Sequence, residues 1–137
     1  SSADHPRMLR HLRWSLLWAA IILWLCLIPG KALPEWDWFA VFDLDKLVHG
    51  GMFFVLAVLL AQALRSNGSP ARYILWACII SVAYGLFTEF MQGLEALGRR
   101  TDINDMIANT IGAVSAGGFA NWRTKKGWHI VPFAFLR

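Results

Sequence analysis

Arg99-Arg100-Thr101-Asp102-Ile103-Asn104-Asp105-Met106-Ile107-Ala108-Asn109-Thr110-Ile111-Gly112 sets arginines and aspartates directly before and inside an apolar run, with Asn109 deeper in it. Read as a helix, Asp102, Asp105 and Asn109 follow i, i+3, i+7 spacing and share one face. The residues that continue this face, Gly112, Ala113, Ala116 and Gly117, are all small. Small residues let another helix approach closely, and charged groups at the end of a membrane helix rarely persist without a role.

Working outward, composition fixes the class. Of 137 residues, 57% are hydrophobic and only 16% charged, where a soluble domain carries about 25% charge. The expectation is an all-α membrane protein: one domain over 1–137, folded as a bundle of four transmembrane helices, with no room for a second domain. Cys26 and Cys78 both lie inside apolar runs and read as small hydrophobes rather than a disulfide framework.

The apolar runs place spans at about 10–28, 47–64, 73–91 and 103–120. Residues 1–7 read as a foreign remnant before Met8. Arg7, Arg10 and Arg13 ahead of a short apolar run also suit a signal peptide, but no small-residue cleavage site follows, which favours a retained helix. The connector 31–46 mixes Glu35, Asp37, Asp43 and Asp45 with Trp36, Trp38, Phe39 and Phe42, a pattern suited to the membrane–water interface. Residues 65–72 read as a tight turn and 93–100 as a short loop. The tail 129–137 contains Pro132 and is too short to span; it reads as a surface-lying segment or a foreign extension.

Lysine and arginine placement orients the chain. The N-terminus, the middle turn (Arg65, Arg72) and the C-terminus (Arg123, Lys125, Lys126) are basic, whereas the first connector is acidic. Both termini are then cytoplasmic. Arg99 and Arg100, on an outer loop, break the rule and point to a requirement for them there. With this topology Asp45, Lys46, His49, Glu89, Gln92, Arg99, Asp102, Asp105 and Asn109 gather at one depth, facing the outside or periplasm. The basic groups read as membrane anchors, and nucleic acid is excluded as a partner.

Asp45-Lys46-x-x-His49, Glu89-x-x-Gln92 and Arg99-x-x-Asp102-x-x-Asp105-x-x-x-Asn109-x-x-Gly112 resemble, in order and on the corresponding spans, the signature of the VanZ-like family of small membrane proteins. The resemblance covers most of the chain, from the first connector to the end of the fourth span. It implies a place in the inner membrane of a bacterium, a cell-envelope context and a role in resistance to glycopeptides such as teicoplanin, for which the family is named. The short chain departs from those relatives that carry extra domains.

Three functional classes follow. In an enzyme, His49, Glu89 and Asp105 are the catalytic candidates, acting as general acid, base or orienting group. Asp45, Lys46, Gln92, Arg99, Asp102 and Asn109 would then bind substrate, with Lys46 and Arg99 clamping an anion. In a binder, the same residues hold an envelope lipid, a polyprenyl phosphate, a lipid-linked cell-wall precursor or an antibiotic without chemistry. In a transporter, the carboxylates and His49 carry a divalent cation or protons. The sequence requires no cofactor and shows no metal-ligand spacing, leaving a divalent cation open. The bland account is a buried network that fixes helix packing: Asp45 and Asp102 suit helix N-caps, and Lys46 can snorkel.

Overall fold

The computed structural model describes residues 4–27, 44–65, 68–94 and 103–137. They form four helices, α1 (Asp4–Leu27), α2 (Leu44–Ala63), α3 (Pro70–Gln92) and α4 (Ile103–Lys125), and a 3-10 turn at Ala134–Leu136. No strand occurs among the described residues. Three expectations fall outside them: the interfacial connector, the loop carrying Arg99, and Asp102. Asp45 lies in α2 by its backbone, but its side chain is outside the described part.

Helix ends differ from the expected spans for local reasons. Pro70 belongs to α3 rather than to the preceding turn, because proline at the first helical position lacks only an N–H that would be unpaired anyway. The Ser69 carbonyl then accepts from the backbone N–H groups of Arg72 and Tyr73 at 3.0 and 3.1 Å. At its far end α4 runs on to Lys125, where Arg123 and Lys125 suit the negative pole of the helix dipole. Gly127, at φ +73°, then turns the chain. The N–H of Trp128 reaches the Arg123 carbonyl at 2.9 Å and that of Gly127 the Thr124 carbonyl at 3.0 Å, a Schellman ending.

The most extensive helix contact is between α2 and α4; α3 packs on both, and α1 lies chiefly on α2. The small-residue face of α4 makes this closeness achievable. A Cβ added at Gly112 would lie 2.0 Å from the Gly50 carbonyl oxygen of α2, and one at Gly117 would lie 2.8 Å from Cys78 Sγ of α3. Ala113, Ala116 and Ala120 fill the rest of the seam and are buried. Cys78 donates its thiol to the Ala113 carbonyl at 3.3 Å. Hydrogen bonds tie α1 to its neighbours: Trp18 Nε1 donates to the Met52 carbonyl at 2.9 Å, and the Tyr84 O–H to the Ala19 carbonyl at 2.5 Å.

Among the described residues, α2 and α3 are long and apolar enough to cross a membrane; α1 contributes a shorter apolar stretch, Leu12–Leu27. The fourth expected span is helical but less apolar, because its buried side is Asn, Ala and Gly and its ends are charged. All four helices nevertheless turn large apolar side chains outward. On α4 these are Ile103, Ile107, Ile111 and Val114, while Asn109 and Gly112 face in.

The tail folds back on the bundle. Ile130 and Val131 are buried, and the Val131 N–H donates to Oε1 of buried Gln62 at 3.1 Å. Arg123 Nε donates to the His129 carbonyl at 2.5 Å, and Arg137 donates to the carbonyls of Val131 and Pro132. Trp122 and Trp128 meet edge to face.

Candidate functional site

At the opposite end of the bundle, the first turns of α2 and α4 bring four sequence-chosen residues together. Lys46 and His49 are three apart on α2, and Asp105 and Asn109 four apart on α4, so each pair forms a stripe and the stripes face one another. Lys46 Nζ pairs with Asp105 Oδ1. His49 Nδ1 lies 3.2 Å from Asn109 Oδ1, and its Nε2 lies 3.7 Å from Asp105 Oδ2. The result is a ladder that descends from half-buried Lys46 to Asn109, which is 2% exposed. With Nδ1–H donating to the Asn109 carbonyl oxygen, the other ring nitrogen of His49 is aimed at a carboxylate beyond hydrogen-bond length.

The ladder has a loose end. Asn109 Nδ2 is buried without an acceptor in the protein. It lies against α3, where a Cβ at Gly85 would be 3.5 Å from it and 3.3 Å from Phe53 Cε1. A side chain at Gly85 would press on the Phe53 ring and meet Asn109 at ordinary contact distance. One turn further along the same inward stripe of α3 stand Thr88, Glu89 and Gln92, all buried, with Glu89 1% exposed. A carboxylate so enclosed is costly unless it is partnered, and both Glu89 and Gln92 are partnered. The hydroxyls of this region serve the backbone: Thr88 donates to the Gly85 carbonyl at 3.0 Å, and Tyr84 is held by α1.

Lys46, His49, Asp105 and Asn109 thus meet, and Glu89 and Gln92 lie on the buried stripe of the neighbouring helix. Asp105 already engages Lys46, which the sequence paired with Arg99 as an anion clamp; Arg99 and Asp102 lie outside the described residues. Among the described residues no group of three or more His, Cys, Asp or Glu side chains is placed to hold a metal ion. Sequence reasoning missed Gly50 and Gly85, which set how closely α2 and α3 approach the ladder. The signal was available, since a glycine inside an apolar helical run generally has a packing reason.

A family model described as VanZ/LLP1 matches residues 8–124, most of the chain, and the chain belongs to this family. Neither the curated proteins nor the solved structures compared with it gave a match.

Proposed function

Taking VanZ/LLP1 membership as the premise, we propose that the chain crosses a bacterial inner membrane four times, with both termini cytoplasmic. Its Lys46 end faces outward and binds an anionic envelope lipid, a lipid-linked cell-wall precursor or a glycopeptide, which is the route to the family's link with glycopeptide resistance. The membrane reading is supported by polarity turned inside out: Asn109, Glu89 and Gln92 are buried, whereas Ile103, Ile107, Ile111 and Val114 are exposed.

One observation carries the ligand class. Among the described residues, Asn109 Nδ2 is buried without a hydrogen-bond partner, beside His49 and the Lys46–Asp105 pair. A buried donor left without an acceptor costs about 1–3 kcal/mol. A phosphate or carboxylate oxygen, which only accepts, is the complement. Thermal-shift titration with undecaprenyl phosphate tests this. The parent should be stabilised and Asn109→Asp, which replaces the free donor by an acceptor, should not respond; an equal response overturns the anion reading. Cysteines introduced at Asn67 and Leu97 should label from opposite faces of the membrane, with Leu97 outside. Labelling from the same face ends the four-span topology.

The enzymatic reading is favoured by one feature, an imidazole oriented through Nδ1 by Asn109 while its Nε2, 3.7 Å from Asp105, is beyond hydrogen-bond length. It predicts turnover of the bound phosphate ester that His49→Ala abolishes while binding persists. If binding occurs with no turnover in the parent, the protein is a binder.

A further inference from the structure

At the Gln62 end the tail folds back on the bundle as a cap, and arginines from three elements meet around it. Arg65 follows α2, Arg123 lies in the last turn of α4, and Arg137 stands on the tail. Each is half-buried and pinned by the chain. Arg65 Nη1 lies 2.9 Å from His129 Nδ1, Arg123 Nε donates to the His129 carbonyl, and Arg137 Nε and Nη2 donate to the carbonyls of Val131 and Pro132. A guanidinium carries five N–H donors, so each keeps several for another partner. After partial desolvation, the charges of all three help to hold His129 below its ordinary 6.5, a sign of how closely they converge. Among the described residues none of the three forms an ion pair; the pairs that occur there are made by Asp105, at the opposite end. Like charges gathered without a counter-charge repel, and an anion between them removes the repulsion.

The aromatic side chains say which anion. Ile130 and Val131 turn into the bundle, whereas Trp128, Phe133 and Phe135 of the same tail are exposed, as is Trp122 beside it. Arg123 lies over the Trp128 ring at 5.2 Å, and Trp122 meets Trp128 edge to face at 5.4 Å. Such rings settle at the headgroup level of a bilayer, which sets the guanidiniums at the depth of lipid phosphates. A soluble anion would use the arginines but leave the exposed rings without a purpose.

We propose that Arg65, Arg123 and Arg137 bind the phosphate of an anionic phospholipid in the leaflet at the Gln62 end, with the tail as one wall of the site. The inference rests on the membrane reading and is independent of any ligand at the Lys46 end. Arginine suits the task, because its planar fork meets a phosphate with two parallel hydrogen bonds. Opening the tail carries Arg137 away and takes the site apart, so the lipid holds the cap closed.

The test follows exchange protection of the Val131 amide, whose acceptor is Gln62 Oε1. The full chain is placed in nanodiscs of dioleoyl phosphatidylcholine, and dioleoyl phosphatidylglycerol is added in steps. A ligand of the closed cap multiplies protection by 1 + [L]/Kd, so the rise should reach about tenfold once the lipid stands about ten times above its Kd. The double variant Arg65→Gln, Arg137→Gln should lose this rise. The double variant Lys125→Gln, Lys126→Gln removes as much charge from exposed positions and should keep it. Inorganic phosphate added to nanodiscs of phosphatidylcholine alone should give no rise.

An unchanged parent, or an arginine variant that rises in full, overturns the site. A lysine variant that loses the rise as completely as the arginine variant does so too, since diffuse surface charge then accounts for it. An equal rise with inorganic phosphate means a soluble anion and overturns the lipid. Should the arginine variant leave Val131 unprotected even without the lipid, a phosphatidylglycerol carrying a diazirine on its headgroup decides in the parent. Crosslinks should fall on Arg123, Trp128 or Arg137, and crosslinks found only elsewhere overturn the site. All these failures leave the membrane reading standing. That reading falls separately if the chain stays folded and monomeric with neither nanodisc nor detergent, and the lipid site falls with it.

Discussion

The two ends of the bundle both bury polar groups, but they use them differently. At the Gln62 end, side chains close open backbone groups: Gln62 takes the Val131 N–H, Arg123 reaches the His129 carbonyl, and Arg137 binds the carbonyls of Val131 and Pro132. Each bond there does what a folded chain needs, pairing a main-chain atom that has left a helix. At the Lys46 end, side chains pair with one another across two helices and leave the Asn109 amide over. The contrast lies in the balance: the Gln62 end also holds the Arg65–His129 pair and a buried Thr124 hydroxyl without a partner, but its other side-chain bonds serve the backbone, whereas the ladder joins side chains of two helices.

The largest effect should come from the contact beneath the site. Gly112→Ala sets a methyl group 2.0 Å from a backbone oxygen of α2, so the helices must part. The expected loss is about 3 kcal/mol or more, above the usual range for overpacking, with loss of the ladder. Gly117→Ala presses instead on the Cys78 sulfur, the end of a side chain able to turn aside, and should cost about 1 kcal/mol. Equal losses in a chemical-denaturation or thermal series would mean that the α2–α4 contact is not special.

Next comes the cap. Gln62→Ala leaves the Val131 N–H without its acceptor in a buried place and should lower stability by about 1–3 kcal/mol. The response to undecaprenyl phosphate should be unchanged. A variant that loses this response at normal fold would show that the two ends are coupled, and would break the comparison.

The smallest effect is a pH dependence of the cap. Arg65 donates to Nδ1 of His129 at 2.9 Å, so that nitrogen accepts. Partial desolvation first, and then Arg137, Arg65 and Arg123, hold His129 below its ordinary 6.5. A histidine lowered in the folded state contributes its stability fully above the unfolded value and loses it as pH falls below about 6.5. Protection of the Ile130 and Val131 amides against hydrogen exchange, taken relative to the intrinsic rate at each pH, should therefore fall between pH 7 and 5, and His129→Gln should flatten this dependence. Unchanged protection across that range would remove His129 from the cap.

Part of the site was legible because helical spacing is a strong signal: Asp105 and Asn109 needed only the 3.6-residue period to share a face. The small face of α4 was legible for the same reason. The cap was not. Nothing in residues 129–137 announces that Ile130 will be buried or that Gln62 will accept from Val131, because the contact joins positions 69 apart and depends on the turn at Gly127. The pairing of Lys46 with Asp105 was equally hidden: sequence gave the charges and their depth, while the partner was set by how far Gly50 and Gly112 let two backbones approach.

The central claim, that the Lys46 end is a ligand site rather than a packing network, is tested most directly by measuring melting temperature and response to undecaprenyl phosphate together in His49→Ala, Glu89→Gln, Asp105→Asn and Asn109→Asp. A site predicts at least one variant, foremost Glu89→Gln or Asn109→Asp, that melts like the parent yet no longer responds. If loss of response follows loss of stability in all four, the network serves only to pack the helices.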